Sequence, residues 1–337
     1  MPILPDPAYK PSLPFRLGHI QTLYPTLFRP TPQTNPVRQR LETADGDFID
    51  IDYHFHRQKK YADKLAVVSH GLEGNSRKKY MLGMAAYLNT RGWDVICLNF
   101  RGCSGEMNRL PRLYHSGVTD DLHSVLLHGL ASGNYSQAAL VGFSMGGNQT
   151  LKYLGEAPTL VPEQVKKAVV FSVPVLLAES GKAMDHWTNR IYMEYFMRGL
   201  KEKIRLKAAM FPELYDTEGL AKMKTFAPFD DKYTGPIHGF RGAADYYEKC
   251  SSKQFLQEIT VPTLLVQAGD DPFLPPSCYP TLEAKTSNRL FLEMPRYGGH
   301  VGFIGVPQSI DYWMEQRAAR FLDSSTEEIV ENLKSLA

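Results

Sequence analysis

A serine stands in the spacing Gly142-x-Ser144-x-Gly146, directly after the apolar run of residues 138–141. A short apolar run of this kind predicts a strand that is buried on both faces of a parallel sheet. Small residues two before and two after the serine let a strand and a helix pack closely around a sharp turn, which presents the hydroxyl at the carboxyl edge of the sheet. The spacing therefore predicts a nucleophilic Ser144. It also makes the backbone N–H of Met145, the next residue, a predicted donor to an oxyanion.

A serine hydroxyl is a weak nucleophile at neutral pH and needs an adjacent base. His300 is the best placed of the ten histidines, because it follows the last predicted strand in the segment YGGHVG. Two glycines before it and one after it make a flexible loop that can bring an imidazole to the edge of the sheet. We therefore predict that His300 is the base.

Two adjacent carboxylates, Asp270 and Asp271, follow the predicted strand at residues 261–266. Asp271 precedes a branched apolar residue by three positions and a proline by four. This spacing is common for the catalytic acid that follows such a strand and orients the histidine, so we assign that role to Asp271. We expect Asp270 to cap or shape the turn. Paired carboxylates also suit a metal, but no other cluster of ligands accompanies them. We therefore predict no metal and no cofactor.

A second oxyanion donor should come from the loop that follows the strand ending at Val68. The segment HGLEG occupies residues 70–74, and this position makes the N–H of Leu72 the candidate. We expect His70 to shape this loop without taking part in the chemistry.

Strand and helix patterns alternate along most of the chain, which predicts an α/β fold with a mostly parallel central sheet and helices on both faces. Residues 38–43 and 47–55 predict an antiparallel hairpin at the edge of the sheet, with one solvent-exposed face that carries Asp50, Asp52 and His54. The predicted strands after the hairpin are residues 65–68, 93–98, 138–143, 165–171, 261–266 and 290–294.

The alternation stops at residue 174 and resumes after residue 257, and the intervening block is helical and rich in aromatic residues. A helical block inserted between two strands is typical of a cap over an active site. Within it, Trp187, Ile191 and Tyr195 recur at four-residue steps, with Tyr192 and Phe196 beside them. We expect this wide apolar helix face to pack in the core, with a lesser expectation that part of it lines an acyl pocket.

The predicted organisation thus has four parts. Residues 1–36, which hold nine of the 23 prolines but also many apolar side chains, are predicted to be an ordered extended segment packed on the core. In that segment, residues 18–22 (GHIQT) are expected to be a packing strap, with the lining of a site as the alternative. Residues 37–173 and 258–325 form the core, residues 174–257 the cap, and residues 326–337 a C-terminal tail.

The motifs described above, taken together, resemble those of a known protein family. The chain is similar to YheT-type members of the α/β-hydrolase superfamily, which are related to the α/β-hydrolase-domain lipases of eukaryotes. The resemblance covers about residues 15–305, and its most specific strings are NFRGCSG at 99–105 and YHSG at 114–117. It implies an α/β-hydrolase fold and a carboxylic-ester hydrolase whose catalytic triad is Ser144, Asp271 and His300.

Arg101 and Ser104 lie in the NFRGCSG string, after a strand and at the edge of the sheet where ligands bind in open α/β folds. Contact with a substrate is possible there, but we favour a structural role for Arg101 as a tether of its own loop.

The overall composition narrows the class of partner. The chain has 337 residues and a formal net charge of +2, which gives no reason to expect nucleic acid. Its four cysteines are scattered without a CxxC pair, which suits a reducing cytoplasm. The sequence has no basic start followed by an apolar run and no apolar run of membrane-spanning length, so we expect neither a signal peptide nor stable membrane insertion. The expected partner is a small-molecule ester, and the oligomeric state stays open.

The sequence thus predicts a cytoplasmic serine hydrolase that cleaves carboxylic esters through an acyl-enzyme. The same triad would also serve an acyltransferase or a thioesterase. A non-catalytic binding protein on a hydrolase scaffold is the alternative from another class, and it would have no use for the full set of catalytic side chains.

Overall fold

The computed structural model describes residues 3–4, 9–56, 62–305, 309 and 311–325, so the predicted tail at 326–337 lies outside the described residues. The described chain contains one eight-stranded sheet with the order β1-β2-β4-β3-β5-β6-β7-β8. Its strands are β1 (Val37–Glu42), β2 (Phe48–His54), β3 (Lys64–Ser69), β4 (Trp93–Leu98), β5 (Gln137–Phe143), β6 (Val165–Phe171), β7 (Thr263–Val266) and β8 (Leu290–Glu293).

Strands β3 to β8 are mutually parallel, whereas β2 runs antiparallel to both β1 and β4. The parallel strands are apolar and almost entirely buried, as expected for a sheet that is covered on both faces. Their carboxyl ends lie along one edge, so the loops after β3, β5, β7 and β8 meet there. The predicted α/β class and mostly parallel sheet are confirmed.

The hairpin prediction is correct in its pairing but wrong about a solvent-exposed face. Strand β2 lies inside the sheet, and all of its residues are buried, including Asp50 and Asp52. The register places Arg40 opposite Asp50 and Arg38 opposite Asp52, and each arginine forms two hydrogen bonds to its aspartate. The carboxylates are buried because these cross-strand pairs compensate their charge.

Two groups of helices cover the two faces of the sheet. On one face pack α2 (Lys79–Thr90) and α11 (Trp313–Asp323), and on the other pack α3 (Asp120–Ala131), α4 (Met145–Glu156) and α10 (Thr281–Thr286). The buried side chains of each helix recur at the three- and four-residue spacing that an amphipathic helix requires.

The N-terminal segment departs from the extended conformation that its prolines suggested. Residues Gly18–Phe28 form a helix, α1, that contains Pro25 in its last turns. Eight of the nine prolines of residues 1–36 lie before or after this stretch, and Pro25 sits where it removes only the helical hydrogen bond to the carbonyl of Gln21. The expectation of an extended segment is therefore wrong for residues 18–28.

Between β6 and β7 the chain is helical, and residues 174–257, here called the cap, contain no strand and are all described. The cap helices are α5 (Leu177–Met184), α6 (Arg190–Met210), α7 (Phe226–Phe229), α8 (Gly235–Ile237) and α9 (Ala243–Cys250). The division of the chain into domains at these limits remains a prediction.

The predicted apolar face at residues 187–196 packs in the core only in part. Trp187, Ile191 and Tyr195 are 78%, 70% and 52% exposed, so the expectation is wrong for these three residues. Tyr192 is buried and Phe196 packs against the cap core, because the apolar face is wider than the surface that the cap core can cover. A search of the described residues finds no helix with the length and apolar character needed to span a bilayer.

Candidate active site

Ser144 lies in a strained turn between β5 and α4. Its backbone angles are φ 52° and ψ −118°. Residues other than glycine rarely adopt such a positive φ. The flanking glycines are required by close contacts. A Cβ on Gly142 would lie 2.6 Å from the carbonyl oxygen of Gly146, and a Cβ on Gly146 would lie 2.5 Å from the carbonyl oxygens of Ser69 and His70. The local geometry is thus the strand-to-helix turn that the glycine spacing predicts.

Ser144, His300 and Asp271 lie in one hydrogen-bonded row. The Nε2 of His300 is 2.9 Å from the Oγ of Ser144, and its Nδ1 is 2.9 and 3.1 Å from the two carboxylate oxygens of Asp271. The carboxylate also accepts the N–H of Phe273 at 2.9 Å. Because a carboxylate next to Nδ1 favours a proton on that nitrogen, Nε2 is left free to accept the serine proton.

The two predicted oxyanion donors have no other acceptor. Within the described residues, neither the N–H of Leu72 nor that of Met145 donates a hydrogen bond. Both residues line the same cavity as Ser144 and His300. Two unpaired N–H groups beside a serine can stabilise a negative charge that develops on a carbonyl oxygen attacked by that serine.

His70 holds the loop that carries Leu72. Its Nδ1 lies 2.7 Å from the carbonyl oxygen of Gly71, and its Nε2 accepts the N–H of Phe100 at 3.2 Å. Burial lowers the pKa of His70 to about 3, so the ring is neutral at physiological pH. These contacts use both ring nitrogens and agree with a structural role.

Glu73 joins the same loop to the cap. Its backbone has a positive φ of 53°, and its carboxylate is 2.7 Å from the Nζ of Lys203 on α6. The hydroxyl of Tyr114 donates a hydrogen bond to the carboxylate and also accepts the N–H of Glu73. Both partners of the ion pair are largely buried, so the cap helix and the loop beside Ser144 are fastened to each other.

The two adjacent aspartates have different partners. Only Asp271 is hydrogen-bonded to His300, whereas one oxygen of Asp270 accepts the N–H of Gly299 at 2.8 Å. Asp270 therefore holds the histidine loop through the backbone N–H of Gly299. Among the described residues, no group of three or more histidine, cysteine, aspartate or glutamate side chains is arranged to hold a metal ion.

Helix α1 holds the backbone of the histidine loop, a role that the sequence did not indicate clearly. The hydroxyl of Thr22 accepts the N–H of His300 at 2.9 Å and donates to the carbonyl oxygen of Gly18 at 2.7 Å. The side chain of Gln21, which is fully buried, accepts the N–H of Ile304 at 2.8 Å. The one available signal was the presence of the polar pair Gln21-Thr22 in an otherwise apolar segment.

Arg101 and Ser104 have structural partners. The guanidinium of Arg101 is buried and forms ion pairs with Asp45, Asp47 and Asp121 at 2.7–3.0 Å. The hydroxyl of Ser104 donates to Asp50 at 2.7 Å. Neither residue lines the cavity beside Ser144, and the interpretation of Arg101 as a tether is confirmed.

A cavity of about 120 Å³ lies between the edge of the sheet and the cap, and Ser144 and His300 are part of its wall. The cap supplies much of the remaining surface, most of it apolar. Its apolar lining residues are Leu177, Met184, Phe196, Leu200 and Phe226. A small organic group that entered this cavity would contact the hydroxyl of Ser144.

The chain is similar in sequence to known proteins. A family model described as the α/β-hydrolase fold matches residues 67–307. The putative esterase YheT of Escherichia coli K12 is 36% identical over 324 residues, which cover 94% of this chain and 93% of that protein. The mouse phospholipase ABHD3 is 31% identical over 291 residues, which cover 83% of this chain and 70% of that protein.

Solved structures show the same fold at lower identity. The esterase Pf2001 of Pyrococcus furiosus superposes with a TM-score of 0.57 and 16% identity, covering 87% of this chain and 97% of that one. Est1E of Butyrivibrio proteoclasticus superposes with a TM-score of 0.54 and 13% identity, covering 88% and 99%. At such identities the similarity concerns the fold alone.

Proposed function

This chain belongs to the α/β-hydrolase fold family, and from that premise we propose that it is a serine hydrolase of carboxylic esters with Ser144, His300 and Asp271 as its catalytic triad. The single observation that carries the proposal is the row of hydrogen bonds from the carboxylate of Asp271 through the imidazole of His300 to the hydroxyl of Ser144. The relatives named as a putative esterase and a phospholipase support ester hydrolysis as the reaction.

In the proposed mechanism, the Oγ of Ser144 attacks the ester carbonyl while the Nε2 of His300 accepts the hydroxyl proton. The N–H groups of Leu72 and Met145 donate to the oxyanion of the tetrahedral intermediate. Asp271 holds the imidazole in the required tautomer and stabilises its positive charge. The intermediate collapses when the alcohol leaves with the proton from His300, and an acyl-enzyme remains.

In the second half of the reaction, His300 removes a proton from water, whose oxygen attacks the acyl-enzyme carbonyl. The second tetrahedral intermediate expels the Oγ of Ser144, which recovers its proton from His300, and the carboxylic acid is released. Apart from the ester and water, all groups in this scheme belong to the chain, so the proposal needs no cofactor.

The proposal is tested by labelling the protein with a fluorophosphonate and locating the modified residue by mass spectrometry. We expect one phosphonylated serine, Ser144, because only an activated serine displaces fluoride at neutral pH. Heat-denatured protein serves as the control and should not react. If the folded protein is not labelled at Ser144 and does not hydrolyse p-nitrophenyl butyrate, the result would favour a non-catalytic binding protein on this scaffold.

The proposal includes a small-molecule ester as the partner and a reducing compartment, the cytoplasm, as the location. The cytoplasmic location is supported by the four cysteines, which are all buried and form no disulfide.

Thr22 is expected to position the base. We predict that Thr22→Val lowers kcat for p-nitrophenyl butyrate about tenfold with little change in KM, because the N–H of His300 loses its acceptor and the imidazole shifts relative to Ser144. Valine matches the shape of threonine, so packing is largely kept. Thr22→Ser retains the hydroxyl and should restore most of the activity. A serine variant that loses as much activity as the valine variant would contradict this assignment, because it retains the hydroxyl.

A further inference from the structure

One wall of the cavity beside Ser144 is polar, in contrast to the apolar remainder. The polar side chains on this wall come from the YHSG segment, from the turn after α7 and from α9, and none of them takes part in the proposed mechanism. They are His115, Ser116, Asp230, Thr234, Tyr246 and Tyr247.

Asp230 is a carboxylate without a counter-ion on this wall. Its two oxygens accept hydrogen bonds from the hydroxyls of Thr234 and Tyr247, both at 2.6 Å. In the described part of the chain, no lysine, arginine or histidine nitrogen forms an ion pair with it. Burial raises the pKa of Asp230 to about 6, so the group is mostly ionised at pH 7.5. A partly buried carboxylate held by two hydroxyls is stabilised further when another donor reaches it.

The backbone holds this carboxylate in place. Residues Asp230–Thr234 form a π-helical turn between α7 and α8, which brings the hydroxyl of Thr234 back onto the carboxylate four residues earlier. The carbonyl oxygen of Thr234 in turn lies 2.8 Å from the Nδ1 of His238. Such turns are rare and are often found at functional sites.

His115 adds an unpaired donor to the same wall. Its Nδ1 accepts the N–H of Gly117 at 3.2 Å and lies 3.7 Å from the Sγ of Cys250. Burial lowers the pKa of His115 well below its ordinary value, so the ring is neutral and carries its proton on Nε2. Within the described residues this Nε2–H has no acceptor.

We propose that this wall recognises a hydrogen-bond-donating group, a hydroxyl or an ammonium, on the part of the substrate ester that fills the cavity; the inference rests on the proposed function. Asp230 accepts from either group. The Nε2–H of His115 can donate to a hydroxyl oxygen, but it cannot donate to an ammonium, which has no lone pair. A hydroxyl therefore uses both residues, whereas an ammonium uses only Asp230.

The experiment measures kcat/KM for chain-matched esters that end in a methyl, a hydroxyl or an ammonium group, such as p-nitrophenyl heptanoate, 6-hydroxyhexanoate and 6-ammoniohexanoate. The acyl chains of these esters range from five to nine heavy atoms beyond the carbonyl carbon. A second series places the same end groups on the alcohol portion of butyrate esters. We expect at least one series to show a preference of about tenfold or more for a donor over methyl at its best length.

Three variants identify the residues responsible. Asp230→Leu should abolish the preference for ammonium and reduce that for hydroxyl, and His115→Phe should reduce the preference for hydroxyl while leaving that for ammonium. Asp231→Asn, at the adjacent residue, whose carboxylate accepts the N–H of Ala243, is the matched control and should retain both preferences. A thermal melt of each variant shows whether it is folded. Should His115→Phe fail to fold, the Asp230→Leu comparison still decides.

Two results would overturn the inference. One is that methyl-ended esters equal or exceed the donor-ended esters at every length in both series, and the other is that Asp230→Leu retains the wild-type preference. In both cases esters are still hydrolysed and the proposed function stands. If no ester of any kind is hydrolysed and Ser144 is not labelled, the proposed function fails and the inference falls with it.

Discussion

Ser144→Ala is expected to lower kcat for p-nitrophenyl butyrate by about 10⁴- to 10⁶-fold, the range that removal of a triad nucleophile typically costs. In the proposed mechanism the hydroxyl of Ser144, which is hydrogen-bonded to His300, forms the acyl-enzyme, and alanine has no group that can replace it. The measurement is the initial rate of p-nitrophenol release by purified protein.

The variant should fold normally, which makes the loss of activity interpretable. Alanine has the same Cβ as serine, so the positive φ at this position is no worse, and the N–H of residue 144 keeps its bond to the carbonyl oxygen of Phe171. Ser124→Ala is a matched control. Among the described residues, the hydroxyl of Ser124 bonds only to the carbonyl of Asp120 in its own helix, so its loss should leave the rate within about twofold. A folded Ser144→Ala protein with wild-type turnover would remove this serine from the mechanism.

Asp271→Asn is expected to lower kcat by about 10⁴-fold, because the amide favours the wrong tautomer of His300. An amide NH₂ placed beside Nδ1 donates to that nitrogen, so the ring proton moves to Nε2, which can then no longer accept the proton of Ser144. The side chain of Asp271 is fully buried and touches His300 through both oxygens, so water cannot replace the lost contact. Steady-state kinetics with the same ester measures the loss.

Asp270→Asn is the neighbouring control and separates the two carboxylates. An asparagine at 270 keeps an oxygen for the N–H of Gly299, and we expect kcat within about tenfold of wild type. The other oxygen of Asp270 is buried without a hydrogen-bond partner among the described residues, and burial raises the pKa of this carboxyl. A loss at Asp270 as large as the loss at Asp271 would contradict the assignment of the acid to Asp271 alone.

The link between Glu73 and Lys203 gives the cap a structural connection to the proposed oxyanion site. The loop that carries Leu72 is held on the core side by His70 and on the cap side by this ion pair. The rigidity of the oxyanion donors therefore depends on cap packing as well as on the sheet.

The elements that could be predicted from the sequence are those governed by local rules. The glycine spacing around Ser144 is visible within five residues of sequence, and the structure has the positive φ that such a turn imposes. The parallel strands are likewise marked by short apolar runs. Each of Ser144, Asp271 and His300 was assigned from the few residues around it and from their order along the chain.

Contacts between distant segments were decided only by the tertiary structure. Thr22 and His300 are 278 positions apart, and no periodicity in either segment indicates that one holds the other. The burial of Asp50 and Asp52 depends on the register that places two arginines opposite them. Likewise, the stripe of Trp187, Ile191 and Tyr195 is apolar enough to be buried, but the side of α6 that faces the cap core is set by the packing of the whole cap. Spacing along the chain reports which residues share a face, whereas the partner of that face depends on the packing of segments that are remote in sequence.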